Sequence, residues 1–374
     1  MSSFDNLNAM VHRTKRKGSG DILLLFSVIL LCLIGAVFVY SASKYSSLST
    51  YGNEFYVLGK HLVGVLLGVC SLFLGAIINY KKYLKFGVLF AVIAIVGLLL
   101  VFTPLGYSNY GATRWIKLGG VTLQPSEIAK ICYVIFVSSY FAKKPIRAKG
   151  ILTALPVILV GGIICVCIIL EPNMSITVCF GLLMLSLLFA MGMKFSNILI
   201  LVLPIALCVP LLIILEPYRL NRLSAFLNPW ASPKGEGYQL LQSLYALGSG
   251  GLFGVGLFNS RQKFKFLPFS ESDFILAVIG EEIGFFGLIL LFALIVFIVV
   301  RCLKIAVKSK DFFGFALSVG VACIMGIQSL INALVVTGSI PPTGLPLPLV
   351  SAGNTSLITF MFSFGIVYNV SRQN

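Results

Sequence analysis

Ten apolar runs of about 20 residues, at 21-43, 56-79, 83-103, 126-142, 150-170, 174-192, 195-215, 273-303, 311-338 and 349-369, decide what this chain can fold into. Such a run spans the ~30 Å hydrocarbon layer as a helix rising ~1.5 Å per residue. Lipid offers the backbone no hydrogen-bond partner, so spanning segments are helices or a closed barrel, and barrels use alternating strands of ~10 residues. The expected fold class is an all-α integral membrane protein of about ten transmembrane helices. Its 58% hydrophobic and 11% charged residues exclude a soluble domain, in which about a quarter of residues are charged. The first run exceeds the ~7–15 residues of a cleaved signal core and lacks an A-x-A site, so it reads as retained.

The formal net charge of +16 lies in short clusters between apolar runs, a topology signal and not a nucleic-acid footprint. Placing the basic tail 1-20 in the cytoplasm puts 17 Lys and Arg residues on that side and 9 on the other. The expected topology is N-in, C-in. Residues 21-370 form one polytopic membrane domain, with 216-272 a large extracytoplasmic loop between helices 7 and 8. The nine cysteines read as small apolar packing residues. His12 and His61 have no Cys or His neighbours, so no metal site is expected from them.

Glu216 to Gly287 is the one long region that is not simply apolar; Glu216, Glu236, Glu271, Asp273, Glu281 and Glu282 fall in it. Three other breaks in the apolar pattern lie on the same outer side: Gly111–Lys130, Glu171–Ser175 and Pro341–Ser356. Prolines keep the last of these non-helical until about Leu349. Together the four segments would roof one cavity.

Asp273 begins the eighth run, as a helix N-cap or as a working carboxylate. Glu281 and Glu282 follow, ~12 Å deeper, where ionised carboxylates need a cavity or a partner. At 100° per residue Glu281 lies ~80° around the helix from Asp273 and Glu282 ~180° away. Glu281 is therefore expected to share Asp273's cavity and Glu282 to form a structural pair, with Lys60 and Lys130 as partners within the spans. The glycine run Gly248–Gly256 fits neither G-x-G-x-x-G nor a Walker loop; close packing of a re-entrant segment competes with an anion cradle. Arg219, Arg222, Arg261 and Lys263 are anion candidates or solvated charges. Trp115 and Trp230 are interfacial anchors or covers for a sugar ring.

The motifs GATRWIKLGGVTLQPSEIAK, GYQLLQSLYALGSGGLFGVGLFNSRQK, SDFILAVIGEEIGFFG and PPTGLPLPLVSAGNTS resemble, in that order and over nearly the whole length, those of the shape, elongation, division and sporulation family (FtsW, RodA, SpoVE). The resemblance implies a peptidoglycan glycosyltransferase that polymerises lipid II outside the bacterial cytoplasmic membrane. It also implies a class B penicillin-binding protein as partner, among other division or sporulation proteins. It puts the family's essential acid at Asp273 and substrate contacts at Trp115, Glu127, Lys130, Ser260 and Lys263. Arg219, Arg222, Gln239, Ser243 and Glu281 complete the expected substrate-binding set. Departures from the family pattern fall at Asn173, Asn228, Ser232, Phe269, Ala352 and Asn354.

In that chemistry Asp273 takes the proton of an acceptor sugar hydroxyl. Lys130, Lys263, a loop arginine or a divalent cation, Mg or Mn, offsets charge on the pyrophosphate. Two other readings stay open: a lipid II flippase or transporter, and a non-catalytic division scaffold. Membrane lipids are expected partners in all three.

Overall fold

The computed structural model describes residues 19–109, 112–118, 121–145, 150–203, 217–264 and 266–374. The tail 1–18 and the end of the seventh run, 204–216, lie outside the described residues, as does the side chain of Arg219. The helices are α1 (Ile22–Tyr51), α2 (Tyr56–Ile77), α3 (Lys81–Lys85), α4 (Gly87–Leu99), α5 (Pro125–Lys143), α6 (Ile151–Leu170) and α7 (Met174–Ala190). After a helical segment at 195–203 come α8 (Pro217–Leu227), α9 (Tyr238–Gly250), α10 (Ile275–Lys308), α11 (Phe312–Val336) and α12 (Asn354–Gln373). Among the described residues five helices, α1, α2, α6, α10 and α11, are long and apolar enough to cross a membrane. The chain is a multi-pass membrane protein of mainly helical architecture.

Both ends of the described chain meet at one end of the bundle. The Asp21 N–H donates to Ser371 Oγ at 2.9 Å, and Arg301 Nη2 lies 2.5 Å from Asp21 Oδ2. At the same end Asp311 caps α11 through Gly314 N at 2.7 Å and takes the Tyr80 hydroxyl at 2.5 Å.

Close helix packing is written in small residues, as expected where the helices gain nothing from water exclusion. On α2, a Cβ added to Gly68 would reach Leu357 Cδ2 at 2.6 Å, and one added to Gly75 would reach the Phe362 carbonyl at 2.6 Å. Gly365 answers from α12, where a Cβ would sit 2.2 Å from the Leu72 carbonyl. The Gly75 and Gly365 contacts require backbone to approach backbone.

Three features depart from the sequence expectation. The segment after α4 folds as a small antiparallel sheet, β1 (Gly106–Asn109), β2 (Ala112–Leu118) and β3 (Val121–Leu123), in order β1-β2-β3. The last span begins at Asn354 and not near Leu349, because residues 341–353 are held in irregular conformation by polar contacts described below. The eighth span, α10, breaks at its tenth residue, Gly284 (φ 66°, ψ −169°).

That break explains the glycine run. Carbonyls freed at Glu281 and Glu282 accept from Val255 N at 2.9 Å and Gly256 N at 3.0 Å. N–H groups freed at Phe285 and Phe286 donate to Gly251 O at 3.0 Å and Leu252 O at 3.1 Å. Residues 251–256 thus satisfy the broken helix on both sides, as a dry interior demands. A Cβ on Gly254 would lie 2.2 Å from the Glu282 carbonyl, so the run is a backbone splice. The close-packing alternative describes it.

Candidate active site

The end of the bundle opposite the termini gathers the polar segments around Asp273. Residues 341–353 are the hub. Gln328 Nε2 donates to Pro346 O at 2.9 Å, and Asn332, one turn on along α11, donates to Leu345 O at 2.7 Å. Ser351 Oγ donates to Ser272 O at 2.6 Å, and Ala352 N to Glu271 O at 2.9 Å. Arg222 reaches in from α8, donating to Pro342 O at 3.1 Å. Arg114, on β2, donates to the carbonyls of Glu171 (3.3 Å) and Pro172.

Asp273 is half-buried in the turn before α10, and a Cβ placed on Gly344 would lie 3.2 Å from its Oδ2. The helix N-cap is Phe274, without a side-chain cap. Asp273 is therefore not a capping residue, and among the described residues its carboxylate accepts no hydrogen bond. Burial pushes its carboxyl up to about 7; Arg114 and Arg222 pull it down and Glu271 pushes it further up. A carboxyl so poised can take a proton near neutrality. Glu171 is wholly buried beside Arg114, and burial lifts it to about 8 against the pull of that guanidinium.

Other expected residues are held elsewhere. Lys130 Nζ is buried 2.7 Å from Glu127 Oε1 and 2.5 Å from Gln328 Oε1. The trio braces the hub through Gln328 instead of facing an open cavity. Ser243 Oγ donates to Val336 O at 2.8 Å, and Gln239 Nε2 to Pro268 O at 3.2 Å. Arg219 lies on α8, and nothing is described of its side chain.

The helical-face expectation for Glu281 fails. Its carboxylate accepts from Ser260 Oγ, Ser249 Oγ (3.3 Å), Arg261 N (3.1 Å) and Gln262 N (3.4 Å). Residues 249–262 wrap the face that a free helix would have offered to Asp273. Glu282 is in a structural pair as expected, but its cation is Lys263 at 3.6 Å, with Ser41 Oγ at 2.5 Å. Neither Lys130 nor Lys60, whose Nζ sits 4.5 Å over the Tyr56 ring, is that partner. Lys263 is thereby spent on Glu282 and on the Phe258 carbonyl. Among the described residues the cations that act on Asp273 are Arg114 and Arg222, and of these Arg114 was missed as a candidate.

Arg114 is the extra residue of a β-bulge in β2, and Trp115 beside it pairs with Tyr107 across the strand. Trp115 lines a cavity of about 260 Å³ with Lys60, His61, Gln124 and Asn354, and Asp273, Arg114 and Arg222 are not among its lining residues. Trp230, by contrast, is exposed and packs edge-on to Tyr245 at 5.9 Å.

A family model described as "Cell cycle protein" (FtsW, RodA, SpoVE) matches residues 21–374. The chain belongs to this family. It is 35% identical over 370 residues to the "Probable peptidoglycan glycosyltransferase FtsW" of Geobacter metallireducens, covering 98% of each chain. It is 35% identical over 367 residues to "Stage V sporulation protein E" of Bacillus subtilis, covering 96% of this chain and 99% of that one. In fold it is similar to a chain of a peptidoglycan synthase complex that coordinates polymerization and crosslinking, with TM-score 0.78, 26% identity and coverage of 95% and 98%. The Thermus thermophilus rod shape determining protein RodA shares the fold, with TM-score 0.71, 23% identity and coverage of 95% and 97%. Two departures from the family pattern have local work: Asn173 caps α7 through Ile176 N at 3.4 Å, and Asn354 donates to Lys60 O at 3.2 Å.

Proposed function

We propose that this protein is a peptidoglycan glycosyltransferase that polymerises lipid II at the outer face of the bacterial cytoplasmic membrane. One observation carries the reading: a half-buried carboxylate, Asp273, free of capping and raised to about 7, lies within the influence of two arginines at one end of a membrane bundle. The naming of FtsW relatives as probable peptidoglycan glycosyltransferases supports it.

In the reaction, the acceptor sugar's 4-hydroxyl oxygen bonds to the donor's anomeric carbon and its proton passes to an Asp273 carboxylate oxygen. The bond from that carbon to the lipid diphosphate breaks, and the diphosphate leaves with the electron pair. Arg114 and Arg222 supply positive charge where negative charge builds, an effect that is large in a partly desolvated site. Among the described residues no three His, Cys, Asp or Glu side chains converge as a metal site. A divalent cation, Mg or Mn, would be held by Asp273 and its neighbour Glu271, since Mg²⁺ commonly needs only one or two carboxylates beside substrate phosphates. When bound, it would neutralise diphosphate charge.

A class B penicillin-binding protein that crosslinks the product is the expected partner, since the similar complex pairs polymerization with crosslinking. The process is cell division or sporulation. The test is purified protein with lipid II, with and without that partner, scored for glycan strands. Asp273→Asn should still bind lipid II while synthesis falls by ~10²–10⁴; near wild-type synthesis would remove Asp273 from the mechanism. A cysteine at Ser232 should react with a membrane-impermeant thiol reagent from outside wall-stripped cells; labelling only after lysis would reverse the assigned face.

A further inference from the structure

Polymerisation brings together two lipid diphosphates: one leaves the donor at the reacting carbon, and one stays on the acceptor lipid. The Asp273 side of the hub accounts for the first alone. The cavity of about 260 Å³ that Trp115 lines has the chemistry for the second.

Its floor is the first turn of α12. Gly353, Asn354, Thr355 and Ser356 line it, and the 20-residue helix has no side-chain cap. Uncapped N–H groups at a helix start attract anions. Two buried side chains that line the same cavity add an independent sign of a missing ligand. His61 is 1% exposed with neither ring nitrogen hydrogen-bonded, and Ser356 is 5% exposed with its hydroxyl unpartnered, among the described residues. Buried polar atoms are normally satisfied, so an absent partner needs a cause. A neutral imidazole offers one N–H and a serine one O–H; both suit phosphate oxygens. Lys60 places a cation at the exposed rim, and Trp115 offers a ring face of the kind that covers a sugar.

We propose that the α12 N-terminus, with Lys60, His61 and Ser356, binds the phosphate groups of a lipid diphosphate, and that this lipid is the acceptor substrate. Assignment to the acceptor rests on the polymerase reading above; the phosphate chemistry does not. A leaving group must sit at the reacting carbon beside Asp273, whereas neither Asp273 nor Arg114 nor Arg222 is among the residues that line this cavity. A phosphate held here belongs to the lipid whose diphosphate bond survives.

The test uses full-length protein in neutral-lipid nanodiscs and a fluorescent polyprenyl diphosphate, with phosphatidylglycerol as competitor. Lys60→Glu, at an exposed side chain, and the small change Ser356→Ala should each weaken binding by about tenfold, the size of one lost charge-assisted hydrogen bond. His61→Gln is a third probe. In glycan synthesis, Lys60→Glu should raise KM for lipid II with kcat nearly kept. Unchanged affinity in folded Lys60→Glu and Ser356→Ala would overturn the site. Equal competition by phosphatidylglycerol would make it a headgroup contact and overturn the substrate assignment. Binding through these residues by a wild-type protein that makes no glycan would sink the polymerase reading and leave the phosphate site standing.

Discussion

Asn332 holds Asp273 by its backbone, donating from Nδ2 to the Asp273 carbonyl at 2.9 Å. The same amide grips Leu345 O, so one side chain sets both the acid's turn and the strand of residues that faces it. Gln328, four residues earlier, links Lys130 to Pro346 in the same way. Asp273 is thus placed by a side chain on a different helix, α11, and not by its own.

Removing that grip should cost placement before it costs binding. Asn332→Ala is expected to lower kcat by about 10- to 100-fold, the usual consequence of a ~1 Å misplacement, with KM for lipid II little changed. Steady-state kinetics on the folded variant decides it; a loss confined to KM would contradict the positioning role.

The raised carboxyl gives a signed pH dependence. A general base works ionised, and burial lifts Asp273 to about 7. Below that value kcat/KM should fall about tenfold per pH unit, and above it should level off. A flat profile down to about pH 5 would show that an ionised Asp273 is not required.

Stability should run the other way. Asp273 and Glu171 have folded values of about 7 and about 8, above the ~4 of an unfolded carboxyl. Between about pH 4 and those values the folded state binds more protons than the unfolded one, so raising the pH across that window destabilises the fold. Glu171→Gln should flatten the fall in thermal midpoint of the detergent-purified protein between about pH 5 and 8. An undiminished slope would acquit Glu171.

Glu281→Gln and Glu282→Gln should both reduce folded yield, since each carboxylate is enclosed by residues 249–263. Lys130→Met should do the same by leaving Glu127 buried without its cation, a change that typically costs ~3–5 kcal/mol. Fluorescence-detected size-exclusion profiles provide the measurement; normal yield with lost activity in Glu281→Gln would return that residue to the substrate cavity.

What the sequence made legible was whatever follows from period, length and charge. The apolar runs specify helices, and Pro341 to Pro348 mark a segment that no helix can cross. Asp273 could be picked out as an acid at the mouth of a span. The Glu281 face could not, because a helical wheel assumes an unbroken helix, and Gly284 breaks it with help from residues 251–256, about thirty positions earlier. Arg114 was hidden beside Trp115 because a three-stranded sheet was not foreseen there. Gln328 and Asn332 did leave a trace: two amides four residues apart within an apolar span are expensive in lipid unless they hold something.

The bulge at Arg114 makes the register of the hairpin a design constraint. Two residues of β2 answer one of β1 there, so Arg114 is released to hold the Glu171 and Pro172 carbonyls while Trp115 keeps its cross-strand partner Tyr107 and lines the phosphate-seeking cavity. Deleting one residue from this stretch would close the bulge and return the strand to plain alternation, and one of the two side chains would lose its place. The irregularity is therefore a working part of the hairpin, and a tidier strand would serve the site less well.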